Sequence, residues 1–320
     1  MEIISNPTQA EIKKAAQALK DGHLVAFPTE TVYGLGADAT NENAVSRVYS
    51  VKARPTDHPL IVHISSINQL GKWGVDIPEY AVTLAEQFWP GPMTLILKRS
   101  KIAKNFITGG QENVGVRVPG HQVALNLLKE FEDLSGLGVV APSANRFGKV
   151  SPTQSNHIEE ELGKALLPYD LIIDGGPCSI GIESTIISCL ESKPVILRPG
   201  AITVQMIEHV TDLHTNEAYI KNTIKTSGLL ASHYSPKAKV ILDQIPNPGD
   251  GFLAMSNIPT PEGSIRLGSP ENLEQYAKQL YSALRLGDKK NLTRVFVILP
   301  AENGLGEAIR DRLLKSANGY

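Results

Sequence analysis

The stretch AFPTETVYGLGADA, residues 26–39, decides how this chain is read. It starts as an apolar strand, breaks at Pro28, and gathers Thr29, Glu30, Thr31 and Tyr33 ahead of Gly34-Leu35-Gly36. A glycine-rich turn behind a strand ordinarily cradles phosphate. Here no lysine follows the second glycine, and Ala39 stands where the third glycine of G-x-G-x-x-G belongs. Neither a P-loop nor a dinucleotide fingerprint is present. The glycines are expected to allow tight backbone packing beneath a cleft.

Upstream, Thr8 and Glu11 have capping-box spacing. Ile12, Ala15, Ala16 and Leu19 recur at helical intervals, and Gly22 stands where a C-terminal glycine closes a helix. HLVAFPT reads as a short buried strand, followed by a helix near 43–50 and the charged turn VKARPTDHP. Beyond it PLIVHIS, MTLILKR, NVGVRVP, GVVAPSA, DLIIDGG, ESTIISC and PVILRPG read as strands. PEYAVTLAEQFW, QVALNLLKEF and VQMIEHV read as helices between and after them. Short strands among helices, several with hairpin-length connections, predict a mixed α/β sheet and no strict βαβ alternation.

The composition changes after about residue 210. Residues 211–237 are polar and weakly periodic and read as a linker. In residues 238–320 three strands precede the amphipathic helix ENLEQYAKQLYSALRLGD, the strand RVFVILP and a last helix, the pattern of a second, smaller α/β domain.

A chain of 320 residues with 42% hydrophobic and 20% charged residues has the make-up of a globular protein of about two domains. Lys+Arg 31 against Asp+Glu 33 gives a net charge of −2, which argues against a broad basic nucleic-acid surface. Cys178 and Cys189 are too few for a disulfide framework and lie by apolar runs, as buried thiols of a reducing compartment do. MEIISNPTQAE lacks the pattern of a secretory signal, and no apolar run approaches the ~18 residues of a membrane span. A cytoplasmic location without membrane partners is expected.

Four cations stand out. Lys52 and Arg54 flank Ala53 on a turn stiffened by Pro55. They are either a solvated surface pair or a phosphate-binding pair. Arg117 and Arg198 each end a β-branched strand just ahead of proline or Val-Pro. A cation in such a run needs a buried carboxylate partner or an anionic ligand. His63, within a strand, is a satisfied core residue or a single hydrogen-bonding contact to a ligand. Ser143, Asn145 and Ser151 follow a strand in VVAPSANRFGKVSPT, and Glu183, Ser184 and Thr185 open another; hydroxyls and amides there suit phosphate or ribose oxygens. Ser151-Pro152 is also expected to cap the next helix, whose His157, Glu160 and Glu161 read as a solvated face and not as metal ligands. H-E-x-x-H, G-x-S-x-G and C-x-x-C are absent, so positioning and electrostatics are expected to carry the chemistry.

FPTETVYGLGADA, VKARPTDHPLIVHI, FWPGPMTLIL, VGVRVPGH, APSANRFGKVSPT, GIESTIIS and LRPGAI occur in the order typical of threonylcarbamoyl-AMP synthases, the YrdC-like family. The chain resembles the long form of that family, with HYSP in the linker and an added C-terminal domain. The resemblance implies an α/β fold: a YrdC-like mixed parallel/antiparallel twisted sheet with helices around a concave cleft, plus a smaller Rossmann-like C-terminal α/β domain. It implies domains at 1–210 and 238–320, with residues 211–237 as linker and lid. It implies formation of L-threonylcarbamoyladenylate and pyrophosphate from L-threonine, bicarbonate and ATP, with Mg2+ accompanying the nucleotide. The product would pass to a threonylcarbamoyl transferase machinery that modifies tRNA beside the anticodon.

Carried over by motif, Thr31, His63, Arg117, Ala141 and Ser184 would contact threonine. Arg54, His58, Asn113, Ser143, Ser151, Arg198 and Tyr234 would contact ATP, with Lys52 and Arg54 as the catalytic cations and Tyr33 as a wall of the pocket. His58 stands where the family usually has asparagine, Asn113 where it commonly has threonine, and Ser232 where its linker has arginine. Replacing Arg117 is expected to impair threonine use while leaving the fold intact. The competing readings are a double-stranded RNA or tRNA-binding module without catalysis, a carbamoyl-transfer maturation domain, and a regulatory nucleotide-binding domain.

Overall fold

A computed structural model of the chain describes residues 1–217, 224–226, 228 and 233–319. The first helix, Gln9–Lys20, forms for the reason its sequence indicates. Glu11 N–H donates to Thr8 Oγ1, and the Glu11 carboxylate accepts from Thr8 N–H at 2.7 Å. Its buried stripe of Ile12, Ala15, Ala16 and Leu19 packs with Leu127, Leu128 and Phe131 of helix Gln122–Asp133. Both helices cover one face of the sheet through Val25, Phe27 and Val139. The alternate residues Leu24 and Ala26 point to the opposite face, where Val45, Val48 and Tyr49 of helix Glu42–Lys52 join the larger core. The two-residue period of a strand therefore divides its side chains between two cores.

Among the described residues, twelve strands form one sheet. Eleven run in the order Glu2–Ser5, Leu171–Asp174, Val25–Phe27, Gly34–Asp38, Val139–Val140, Ile61–His63, Asn113–Arg117, Met93–Arg99, Thr185–Ser188, Val195–Arg198 and Asn216–Glu217. Gly74–Val75 adds to Met93–Arg99. Parallel and antiparallel pairs alternate irregularly, as the mixture of short and long connections predicts. Ile61–His63 runs parallel to Asn113–Arg117 but antiparallel to Val139–Val140. That register makes His63 the partner of Arg117 on one side and of Val139 on the other.

A separate four-stranded parallel sheet orders Lys239–Leu242, Arg294–Val297, Gly251–Leu253 and Ile265–Gly268. Helices Leu273–Lys289 and Leu305–Ala317 pack with it through Leu280, Leu284, Ile309 and Leu313. Val32, Val150, Ile182 and Tyr234 belong to the same apolar cluster. The two sheets thus share a packed interface on the side where Thr31 and Ser184 lie.

The structure corrects several local expectations. Gly34-Leu35-Gly36 is no turn: it is part of the strand Gly34–Asp38, antiparallel to Val25–Phe27. A Cβ on Gly36 would lie 2.8 Å from the Val25 carbonyl oxygen and from a Phe27 ring carbon, and 3.1 Å from Val139. A Cβ on Gly34 would lie 3.0 Å from that of Ala141, where Gly34 bridges to Ser143. The glycines therefore admit close neighbours within a paired strand.

Tyr33 is fully buried and donates to the Gly176 carbonyl at 2.6 Å, so it does not wall the cleft. Ser151 does not cap the following helix, Ser155–Leu162, whose N-cap is Gln154. His157 is buried and accepts from Thr153 N–H, contrary to a solvated helix face. Ser232 lies outside the described residues. Gly36→Ala is expected to cost about 1–3 kcal/mol through overpacking. Chemical denaturation should show a lower midpoint with an unchanged slope.

Candidate active site

The exits of several strands meet at one cleft. Thr31 and Val32 follow Val25–Phe27, Ile61 and His63 come from one central strand, and Arg117 ends its neighbour. Ala141, Pro142 and Ser143 follow Val139–Val140, while Ser184 and Arg198 come from the antiparallel pair Thr185–Ser188 and Val195–Arg198. Arg54 closes one side and Gly228, His233 and Tyr234 another.

Arg117 is buried and its guanidinium is held from behind. It donates to Glu30 Oε1 at 2.6 Å, to Thr31 Oγ1 at 2.9 Å and to the Gly91 carbonyl at 3.2 Å. A guanidinium carries five N–H donors, so these three bonds leave two for a ligand. The sequence offered an ion pair or an anion contact; the geometry provides the first and accommodates the second. Thr31 Oγ1 also bonds Thr29 Oγ1 at 2.8 Å, which aims the hydroxyl. Burial, reinforced by Arg117, pushes the His63 imidazole down to about 3, so the ring is neutral near pH 7. Its Nδ1 is buried without a hydrogen-bond partner among the described residues. An orphaned nitrogen of this kind is suited to a ligand's hydroxyl or ammonium group.

Lys52 and Arg54 are buried, which excludes a solvated surface pair. Ala53 between them adopts a left-handed backbone conformation, sending the two cations different ways. Arg54 donates to the carbonyls of His58 and Pro59, stacks on Phe147 at 5.3 Å and lines the cleft. Lys52 Nζ instead donates to the carbonyls of Ser143 and Asn145, bracing the loop that presents Ser143. Burial, with Arg54 nearby, lowers the Lys52 pKa well below its ordinary value.

Ser184 Oγ lies 2.8 Å from Thr94 Oγ1 and accepts from Arg198 Nη2 at 3.2 Å. Arg198 also donates to the Ser184 carbonyl at 2.8 Å. Ser151 stands just behind the wall and donates to Glu183 Oε1 at 2.6 Å. Tyr234, buried in the left-handed region at φ 61°, stacks on Tyr281 at 5.6 Å and meets the His233 ring edge-on. Burial holds the His233 imidazole down at about 3.

Four expected residues lie off the cleft lining: Lys52, His58, Asn113 and Ser151. His58 packs edge-on against Phe147, and Asn113 starts its strand opposite Lys98. Two proposed ligand-type side chains have structural work instead. Thr185 Oγ1 is tied to Ile202, and the Asn145 amide staples its own loop through the carbonyls of Arg146 and Lys149. Glu30, Phe147, Tyr281 and Arg312 were missed as parts of the site. Glu30 carried a signal, being a lone acid in an apolar stretch from a chain that also buries Arg117 in a strand.

The arrangement joins three guanidinium groups, aligned hydroxyls and a neutral imidazole in one cleft. It is built for a small ligand with more than one anionic group. The carboxylate that lines it, Glu183, has both oxygens engaged by Ser151, Tyr281 and Arg312. The cleft therefore does not fit a protein-held magnesium ion, and any such ion would be held by phosphate oxygens and water.

Comparison with known proteins agrees in both halves of the chain. The family model described as "Telomere recombination" matches residues 17–200, and that for "Threonylcarbamoyl-AMP synthase, C-terminal domain" matches residues 202–318. The threonylcarbamoyl-AMP synthase of Pyrococcus abyssi is 41% identical over 97% of this chain and 94% of its own length. That of Bacillus subtilis is 39% identical over 99% of this chain and 95% of its own. The crystal structure of P. abyssi Sua5 complexed with L-threonine superposes with a TM-score of 0.88 at 37% identity, covering 99% of this chain and 97% of that one. The chain belongs to the threonylcarbamoyl-AMP synthase family, in the form that carries the C-terminal domain.

Proposed function

We propose that this chain forms L-threonylcarbamoyladenylate and pyrophosphate from L-threonine, bicarbonate and ATP, for tRNA modification. The observation that carries this reading is the convergence of Arg54, Arg117 and Arg198 on one cleft with Thr31, Ser143, Ser184 and a neutral His63. Two anionic substrates need separate cationic subsites, and the guanidinium groups come from separate elements on different sides. Arg117, with Thr31, His63, Ala141 and Ser184, takes the amino acid: its two remaining donors suit a carboxylate. Arg54, Ser143, Arg198 and Tyr234 take ATP, with Ser151 acting from behind the wall by holding Glu183.

The threonine ammonium group must lose one proton before its nitrogen attacks. Attack on carbon dioxide gives the carbamate and releases a second proton to solvent. Attack on bicarbonate carbon gives the same carbamate as the C–OH bond breaks and water leaves. The carbamate oxygen then attacks the α-phosphorus, and pyrophosphate leaves. The carbamate is unstable in water, so exclusion of solvent protects it. Residues 211–237 act as the lid, with Gly228, His233 and Tyr234 as its described contacts at the cleft. Arg54 and Arg198 stabilise charge developing on the leaving pyrophosphate. Lys52 acts through the loop it braces, by holding Ser143. Magnesium arrives with the nucleotide.

A duplex RNA-binding role is less well supported. Arg54, Arg117 and Arg198 are each less than 8% exposed, so their charges are withheld from a bulky phosphate backbone. Transfer to tRNA is assigned to a separate machinery and the chain to the cytoplasm; no helix among the described residues is long and apolar enough to cross a membrane.

Purified protein should release pyrophosphate from ATP only when threonine and bicarbonate are both supplied. Release that persists without either would overturn the reaction. Arg117 cannot simply be removed without cost to the fold, because Glu30 would remain buried and uncompensated, a loss of about 3–5 kcal/mol. In the double variant Arg117→Ala/Glu30→Gln the stranded charge is gone. Its threonine affinity should fall ~10- to 100-fold, as loss of a charge-assisted contact implies. Unchanged affinity by calorimetry would reduce Arg117 to an ion-pair partner. The His63 ring resonances should stay at neutral-imidazole positions from pH 8 to pH 5; a transition near 6.5 would contradict its burial.

A further inference from the structure

The C-terminal unit reaches the cleft wall through a small group of side chains, with Arg312 at its centre. Arg312, in helix Leu305–Ala317, is completely buried although it belongs to the unit with the small parallel sheet. Its Nε donates to Glu183 Oε2 at 2.9 Å, and its Nη2 donates to the Pro199 carbonyl at 3.0 Å. Those acceptors flank two residues of the cleft wall: Glu183 precedes Ser184, and Pro199 follows Arg198. A single planar guanidinium thereby spans the ends of the two antiparallel strands that carry Ser184 and Arg198.

Further contacts converge on the same point. Glu183 Oε1 accepts from Ser151, and Oε2 accepts from Tyr281 of helix Leu273–Lys289 at 2.8 Å. The Arg312 guanidinium lies 5.5 Å from the Tyr234 ring centroid, and one helical turn later Ser316 Oγ donates to the Tyr234 carbonyl at 2.9 Å. Arg312 Nη1 donates to Asp311 Oδ2 at 2.6 Å, which engages the guanidinium's remaining edge. Burial pushes the Glu183 carboxyl upward, but Arg312, Arg198 and Ser151 outweigh it and hold the group at about 2. Glu183 is therefore a fixed anion near neutral pH, and its orientation is set jointly by both units.

We propose that Arg312 is a positioning residue through which the C-terminal unit sets the Ser151–Ser184–Arg198–Tyr234 wall of the cleft, acting on it through Glu183 and Pro199. This deepens the reading of Arg198 and Tyr234 in that wall as ATP contacts, beside the threonine contact Ser184, and rests on it. Arg312 touches no substrate. It fixes the side chains that do, and a shift of about 1 Å in such a shell is enough to cost ~100-fold in the step it supports.

The test uses full-length variants, with ATP affinity measured by calorimetry and kcat and KM from pyrophosphate release. Arg312→Met should raise the Kd and KM for ATP about 10- to 100-fold. Arg312→Lys, which keeps a charge near Glu183 but cannot span to Pro199, should recover only part of the loss. Because Arg312→Met strands a buried carboxylate, Arg312→Met/Glu183→Gln provides a variant without it, and this too should bind ATP weakly. Arg54→Ala, measured alongside, reports on the assignment of the site. If Arg54→Ala loses ATP while every Arg312 variant binds it as the unmodified protein does, the positioning role alone is overturned. If all of them bind ATP normally, the nucleotide assignment and the positioning role fall together. A fall confined to melting temperature, with affinities and KM unchanged, would make Arg312 a stability residue only and overturn the proposal.

Discussion

Everything at the cleft depends on keeping like charges together out of water. Arg54, Arg117 and Arg198 are all buried, yet they face the same space. Guanidinium groups so placed repel one another and lose hydration, and only compensating anions and carbonyl oxygens make the arrangement stable. Glu30 answers Arg117, while Glu183 stands among Arg198 and Arg312. Arg54 has carbonyl oxygens and the face of Phe147. Glu30 sits off the cleft lining behind Arg117, and Glu183, which does line the cleft, has both oxygens engaged by Ser151, Tyr281 and Arg312.

This constraint explains why the strands are arranged as they are. Parallel pairing of Ile61–His63 with Asn113–Arg117 puts a neutral imidazole and a cation side by side. The antiparallel turn-back of Thr185–Ser188 and Val195–Arg198 brings Ser184 beside Arg198. The same constraint gives the C-terminal unit a physical reason to be attached. Arg312, together with Arg198 and Ser151, holds the buried Glu183 carboxyl low, and Arg312 comes from outside the sheet that carries the cleft.

Much of this was legible in the residues. Helical spacing located Gln9–Lys20 and Leu273–Lys289, and β-branched runs located the strands ending in Arg117 and Arg198. The errors share a cause. Gly34-Leu35-Gly36 looked like a turn because glycine weakens a strand locally, but Phe27, Val25, Val139 and Ala141 crowd that position and require it. Lys52 and Arg54 looked equivalent one residue apart, whereas the left-handed backbone at Ala53 separates their directions. His157 looked solvated because Glu160 and Glu161 follow it, but its own face is turned inward.

The chain by itself determined the main elements and the mixed sheet, and pointed to either buried ion pairs or an anionic ligand, because hydrophobic period and the placing of cations in apolar strands are local properties. Ordered motifs in one dimension also carried the family. Only the tertiary structure decided which charges compensate which: Glu30 meets Arg117 across 87 residues, and Glu183 meets Arg312 across 129. Such pairings depend on strand register and on the docking of one unit against another, and no local pattern encodes them. PTETVYGLG is the clearest case. Its threonine and glutamate could be read as polar groups at a strand exit, but their work, holding Arg117 toward the cleft, exists only after the sheet closes around them.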